Sequence, residues 1–326
     1  MRLFSRKMVI QLRPMRQDDI DEVRSVGQSA WSDLYSKEFH QNFQVPKRSA
    51  RNVAFYMDKE PEGCIVAESD GRVVGEVFCH VWGKVGWFGP VEVLPNNQNA
   101  GVGKKLITGA ISYLENRGCS VIGLETMPET MKNVVLYSNL GFYPDRVTYL
   151  MEKSLYAPRR QDVFPPPGTS IVRYSEMGEE AALNAVKTLS SLSMPELDYS
   201  REVYYSMKHN TGETLFLTRG EEPLGFALVY TYSTSDGSNN SSIRIMMLRG
   251  SASVDTEASA LISAGEEFAR ENEKERMNIR FYTGSYSIFN ILRSSSYVLK
   301  GTNIRMLHRG SIPSLNKVID LNSWAG

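Results

Sequence analysis

The chain has 326 residues, 37 basic against 37 acidic side chains, and is 41% hydrophobic and 23% charged. That composition excludes the disordered, collagenous and coiled-coil classes, and the length predicts two domains. Zero net charge argues against a protein built around nucleic acid or an anionic membrane, and no apolar run approaches the ~18 residues that span a bilayer.

Residues 9–14 (VIQLRP) predict a short strand stopped by proline. Ile20, Val23, Val26 and Ala30 then recur at helical spacing, with acids in the first turn. CIVAESDGRVVGEVFCHVW reads as two strands around the Asp70-Gly71 turn, and GWFGPVEVLP as another strand ended by Pro95. From Gly101 the period becomes helical: Leu106, Ile107, Ala110, Ile111 and Leu114 form one stripe, closed by Gly118. SVIGLET predicts a strand, NVVLYSNL a short helix, and FYPDRVTYLMEKSL one or two final strands. Cys64, Cys79 and Cys119 are too few for a disulfide framework and have no CxxC spacing, so no metal is expected. MRLFSRKMVIQLRP lacks the apolar stretch of a signal peptide, which predicts a cytoplasmic protein with residues 1–7 as an extension.

APRRQDVFPPPGTS reads as a semi-rigid linker. Beyond it the pattern restarts. EASALISAGEEFAREN parallels VGKKLITGAISYLENR, with Leu261 falling 155 residues after Leu106; Tyr297 falls 155 after Phe142. One offset across two separate elements points to a duplicated domain rather than a short repeat. The expected organisation is an N-terminal domain at 8–157, a linker at 158–168, a second copy at 169–310 and a tail at 311–326.

PNNQNAGVGKKL carries Gln98-x-x-Gly101-x-Gly103 between a strand and an amphipathic helix. Glycines there expose backbone N–H groups and admit a ligand without a Cβ in the way, and a helix N-terminus favours an anion such as pyrophosphate. No Gly-Lys-Ser/Thr ends the loop and the third glycine of a dinucleotide fingerprint is missing, so neither of those motifs applies. On its own, the pattern is more often a structural strand-to-helix turn.

The stretch from GPVEVLPNNQNAGVGKKL to LYSNLGFYP resembles the GCN5-related N-acetyltransferase (GNAT) family. Its Gln/Arg-x-x-Gly-x-Gly/Ala motif is matched at Gln98, Gly101 and Gly103, and its Leu-Tyr-x-x-x-Gly-Phe at Leu136, Tyr137, Gly141 and Phe142. The resemblance implies an α/β fold of two tandem copies, each a mostly antiparallel twisted sheet flanked by helices with a splayed central strand pair. It implies direct transfer of an acetyl group from acetyl-CoA to an amine acceptor, a small molecule or a protein amine, by a monomer or homodimer. Cofactor binding would fall to the backbone of Val93 and Leu94, to Gln98, and to the amides of Asn99, Ala100, Gly101, Val102, Gly103 and Lys104. Asn133 would hold the pantetheine arm. Tyr137 would act as general acid toward the departing thiolate, its alternative being a packed helix aromatic.

An amine is mostly protonated at neutral pH and must lose a proton before attack. The base stays open among Glu92 on the splayed strand, Glu125 at the end of the partner strand, and a water chain; His80 reads as a strand histidine. Trp82, Trp87 and Phe88 read as core. In the second copy Gln98, Gly101 and Gly103 become Ser253, Thr256 and Ala258, and Tyr137 becomes Leu292. That copy is expected to be catalytically inert and to complete the substrate pocket or replace a second subunit. The alternative function is a non-catalytic acyl-CoA-binding or regulatory protein, which would need the glycine loop but not the phenol.

Overall fold

The computed structural model describes residues 9–156, 163–313 and 318–324. The predicted extension at 1–7 and residues 158–162 of the predicted linker lie outside them. The N-terminal half runs β1 (Gln11–Pro14), α1 (Ile20–Phe39), α2 (Ala50–Lys59), β2 (Cys64–Ser69), β3 (Arg72–Trp82), β4 (Val85–Val93), α3 (Val102–Asn116), β5 (Val121–Thr126), α4 (Met131–Asn139) and β6 (Tyr143–Ser154). The C-terminal half runs β7 (Ser170–Arg173), α5 (Tyr174–Met177), α6 (Glu179–Ser193), α7 (Ser200–Lys208), β8 (Gly212–Arg219), β9 (Glu222–Tyr230), β10 (Asn240–Arg249), α8 (Val254–Glu271), β11 (Arg276–Tyr282), α9 (Tyr286–Ser294), β12 (Val298–Arg309) and β13 (Val318–Asn322).

The predicted elements are present, with additions, two of which bear on the site. Helix α2 lies in a stretch the sequence reading left unassigned. Ser49 caps it by accepting from the Asn52 amide, and it buries Val53, Tyr56 and Met57 at i, i+3 and i+4 spacing. The second addition is β13, inside the segment expected to be a tail. The Asp70-Gly71 turn closes the β2–β3 hairpin with both residues at positive φ, 49° and 76°.

Each half keeps the expected plan, but the two sheets are one. Among the described residues, thirteen strands form a continuous sheet in the order β1-β2-β3-β4-β5-β12-β6-β11-β10-β9-β8-β7, with β13 on β10. β6 follows β5 in the chain yet does not pair with it. β12 stands between them, antiparallel to both, and β6 pairs with β11 on its other side. Each half thus places its last long strand beside the fifth strand of the other.

The cores follow from that exchange. The stripe of α3 packs with β3 and β5 and with Met306 of β12. α8 packs likewise with β9, β10 and β11, and with Met151 of β6. On the opposite face, Trp82, Trp87 and Val121 of the first half share a core with Leu189, Phe226 and Trp324 of the second.

Candidate functional site

β4 and β5 pair in parallel only over Val85↔Val121, Gly86↔Ile122 and Trp87↔Gly123, although both continue, to Val93 and Thr126. The divergence has a local cause. On β4, Gly89 and Pro90 form an irregularity opposite β3, where the register shifts between Val77 and Cys79, and such a bulge bends its strand. The result is a V-shaped opening that widens into a cleft of about 870 Å³.

At the wide end, β4 returns its edge to the cleft. The Leu94 amide is spent on Val74 O at 3.0 Å, so by alternation the amide and carbonyl of Val93 point toward the opening. Gln98 donates its side-chain amide to the Val93 carbonyl at 3.2 Å, tying the loop to the strand. Gly101 holds φ 83°, which strains any residue with a Cβ, and α3 begins at the next residue. A Cβ at Gly101 would meet nothing within 4 Å, and one at Gly103 only Val93 Cγ2 at 3.9 Å. The space beside both glycines is open, and the first-turn amides of α3 have no intrahelical partner. That cradle fits a pyrophosphate, the part of acetyl-CoA the motif implies.

Of the thirteen candidate residues, Glu92, Val93, Gln98, Asn99, Gly101, Gly103, Lys104, Glu125, Asn133 and Tyr137 line the cleft. Leu94, Ala100 and Val102 do not. Leu94 packs among apolar residues, Val102 is buried in the α3 core, and Ala100 is exposed beside the loop. Asn133 reaches back to Thr130 Oγ1 at 3.4 Å within its own turn.

Tyr137 is buried on α4 in edge contact with Phe142, and burial pushes its phenol up to about 12, so it keeps its proton at neutral pH. Glu92 is 4% exposed; its Oε1 accepts from Trp31 Nε1 at 2.5 Å and lies 3.4 Å from Arg48. Glu76 stands directly opposite Glu92 in the β3–β4 ladder. Burial and the charge of Glu92 push the Glu76 carboxyl well above its ordinary value, so it stays protonated. Glycine at 27 makes room for the pair, since a Cβ there would stand 2.7 Å from Glu92 Oε2.

Glu125 has a different environment. Its Oε1 accepts from Arg305 Nε at 2.8 Å, and Arg280 lies 3.8 Å from its Oε2. Although burial opposes it, the two guanidiniums hold this carboxyl below its usual value. A carboxylate so paired is a poor proton acceptor. His80 is buried between Lys59, 3.3 Å from Nδ1, and the Gly89 carbonyl, 3.3 Å from Nε2; burial and Lys59 keep it neutral. Trp82 and Trp87 belong to the core shared by the halves and Phe88 to the α3 core, as expected, and Phe88 also borders the cleft.

Sequence reasoning missed Trp31, Arg48 and Glu76, and the residues that the C-terminal half brings to the cleft: Arg280, Lys300, Thr302 and Asn303. One signal was available for Arg280. It falls 155 residues after Glu125, so the duplicated strand carries the opposite charge at the equivalent position.

In the second half the equivalent opening is filled. β10 and β11 pair in parallel from Asn240↔Arg276 to Ile243↔Ile279, and β13 then takes the next stretch of β10, from Ile245↔Asn322 to Arg249↔Val318. At the start of α8, buried Glu257, at the position of Val102, accepts from Ser251 Oγ at 2.7 Å and Ser253 Oγ at 2.9 Å, setting a carboxylate at the first turn of that helix. Leu292, at the position of Tyr137, is buried.

Residues 28–142 match the model of the acetyltransferase (GNAT) family. The N-terminal half therefore contains a region similar to a GNAT acetyltransferase domain, a class of acyltransferase. Its whole length is similar in fold to a Pyrococcus horikoshii protein provisionally named an acetyltransferase (16% identity, TM-score 0.71, covering 99% of this chain and 97% of that one). It is likewise similar to a GCN5-related N-acetyltransferase from Sphaerobacter thermophilus (13% identity, TM-score 0.61, 94% and 98% covered). A tandem GNAT protein from the clavulanic acid biosynthesis pathway gives 17% identity and a TM-score of 0.59 over 94% and 100% of the chains. No curated protein matches the sequence.

Proposed function

We propose that the N-terminal half transfers the acetyl group of acetyl-CoA to an amine, with residues 8–157 as the working copy and 169–310 as an inert one. The observation that supports this most is the coincidence of three features in one cleft: the β4–β5 divergence, the open glycine cradle at its end, and a buried phenol on its wall. Acetyl-CoA supplies a thioester carbon to which the amine nitrogen bonds as the carbon–sulfur bond breaks. The open edge of Val93 and the first-turn amides of α3, with Lys104, are the groups that would hold it.

Glu92 is the carboxylate placed to take the proton that the nitrogen loses, directly or through one water, and to return it to solvent. Glu76, neutral and opposite, keeps negative charge from doubling there. Tyr137 would face the departing sulfur. Its phenol, near 12, is a weaker acid than a thiol of about 8.5, so full proton transfer is uphill by about 5 kcal/mol. Tyr137 therefore acts by donating a hydrogen bond to the thiolate, which takes its proton from water. Glu125 reads as a structural anion that positions the second half.

The test is Tyr137→Phe in the full chain, with acetyl-CoA binding followed by calorimetry and thiol release followed against a panel of amines. Retained binding with at least tenfold slower release supports transfer. Binding of acetyl-CoA by the unaltered protein without thiol release from any amine would leave a binding protein instead.

A further inference from the structure

Both walls of the acceptor side carry charge. On β4, Val91 and Val93 pack toward the α3 core, so Glu92 projects from the opposite face; on β5, Leu124 does the same beside Glu125. On β11, Ile279 and Phe281 pack toward α8, and Arg280 between them reaches the face that Glu125 occupies.

Arg280 is only partly used there. Glu125 is already matched by Arg305 at 2.8 Å, against 3.8 Å to Arg280. Asn303 lies between them. Its amide donates to Glu125 at 3.3 Å in one orientation; in the other, which satisfies both amide atoms, its oxygen accepts from Arg280 at 3.1 Å. Arg280 has no further hydrogen-bond partner among the described residues, is 14% exposed and lines the cleft. A guanidinium offers five N–H donors in a planar fork suited to a carboxylate. Burial and the neighbouring Arg305 and Arg244 hold Arg280 below its usual value, an environment that a further anion would relieve. Lys300 adds a second cation to the lining. The α1 wall is aromatic, with Trp31 and Tyr35 centroids 6.2 Å apart and Tyr35 and Phe39 5.4 Å apart.

We propose that the acceptor is a small primary amine that also carries a carboxylate and an apolar body, as an amino acid does. Its carboxylate rests on Arg280, its nitrogen faces Glu92, and its apolar part lies against Trp31 and Tyr35. This names the acceptor of the transfer proposed above and rests on that reading for its chemistry, though not for its binding.

Matched pairs differing only in the carboxylate test it: L-phenylalanine against phenethylamine, and L-leucine against 3-methylbutylamine. The full-length protein, loaded with CoA, is titrated with each by calorimetry. The acid of each pair should bind at least tenfold tighter, since a site built for a polar group penalises the analogue lacking it. The ratio should fall toward one in Arg280→Leu and only partly in Arg280→Lys, which keeps the charge without the fork. Equal affinities, tighter binding of the decarboxylated amine, or no binding by either member overturns the inference, and the unaltered protein decides this even if Arg280→Leu does not fold. Thiol release from acetyl-CoA in the same mixtures reads transfer separately. Preference without release would sink acetyl transfer but leave the carboxylate site standing; release without preference would do the reverse.

Discussion

Arg305 Nε lies 2.8 Å from Glu125 Oε1, joining neighbouring strands β12 and β5 across 180 residues of sequence. Both side chains are almost wholly buried, and Arg305 also lies over the Trp324 ring at 4.4 Å and donates to the Asn322 carbonyl at 3.1 Å. The wall of the N-terminal cleft is thus finished by the C-terminal half.

Because β12 is inserted between β5 and β6, the halves are joined by backbone ladders as well as side chains. Cutting the chain at a protease site inserted between Pro167 and Gly168 should leave both pieces co-eluting in gel filtration until denaturant is added; separation of native pieces would rule out the exchange. Arg305→Leu, which strands a buried carboxylate, should cost about 3–5 kcal/mol in urea unfolding.

Glu76 predicts a pH dependence. Above its ordinary value of 4.5 the unfolded chain has lost this proton while the folded chain keeps it, so the unfolded state binds one proton fewer. Stability therefore falls as pH rises, by about 1.4 kcal/mol per unit, until the raised folded value is reached. Glu76→Gln should remove the downward slope that sets in above about pH 5 in urea titrations. An unchanged slope would show that Glu76 is ionised in the fold.

Gly103 separates folding from binding. Its Cβ would meet only Val93 Cγ2, at an ordinary 3.9 Å, and it is the second residue of α3, where alanine is at least as acceptable as glycine. Gly103→Ala should keep the melting temperature and most of the acetyl-CoA affinity, as the Gly/Ala position of the motif allows, while Gly103→Glu should weaken acetyl-CoA at least tenfold by calorimetry. Unaltered affinity in Gly103→Glu would mean that no phosphate approaches that backbone.

The filled second opening predicts one acetyl-CoA per chain. Glu257→Ala should not raise the stoichiometry, since β13 still occupies the edge of β10. Two equivalents bound to the unaltered protein would contradict the occlusion.

Much of this was legible before the structure. The Gln98-x-x-Gly101-x-Gly103 loop, the α3 stripe and Tyr137 depend on contacts within about forty residues, where spacing reports which side chains share a face. The lost glycines of the second copy were equally plain. Glu92 and Glu125 could not be told apart by sequence, because each is a carboxylate near the end of a strand. What separates them is their surroundings: Trp31, Arg48 and a protonated Glu76 about one, Arg305 and Arg280 about the other.

The tail shows the limit most clearly. Residues 318–322 carry an ordinary short apolar alternation that could end any domain. Only the tertiary fold offers them the unpaired edge of β10, and hydrogen bonding along that edge makes them a strand. By itself, then, the amino-acid sequence determined the repeated pattern, the glycine loop and which half kept it, because local dihedral and periodicity preferences fix those. The fusion of the sheets, the stopping of the second opening and the arrival of Arg280 and Asn303 in the first cleft were decided by long-range strand pairing, which spacing along one chain does not encode.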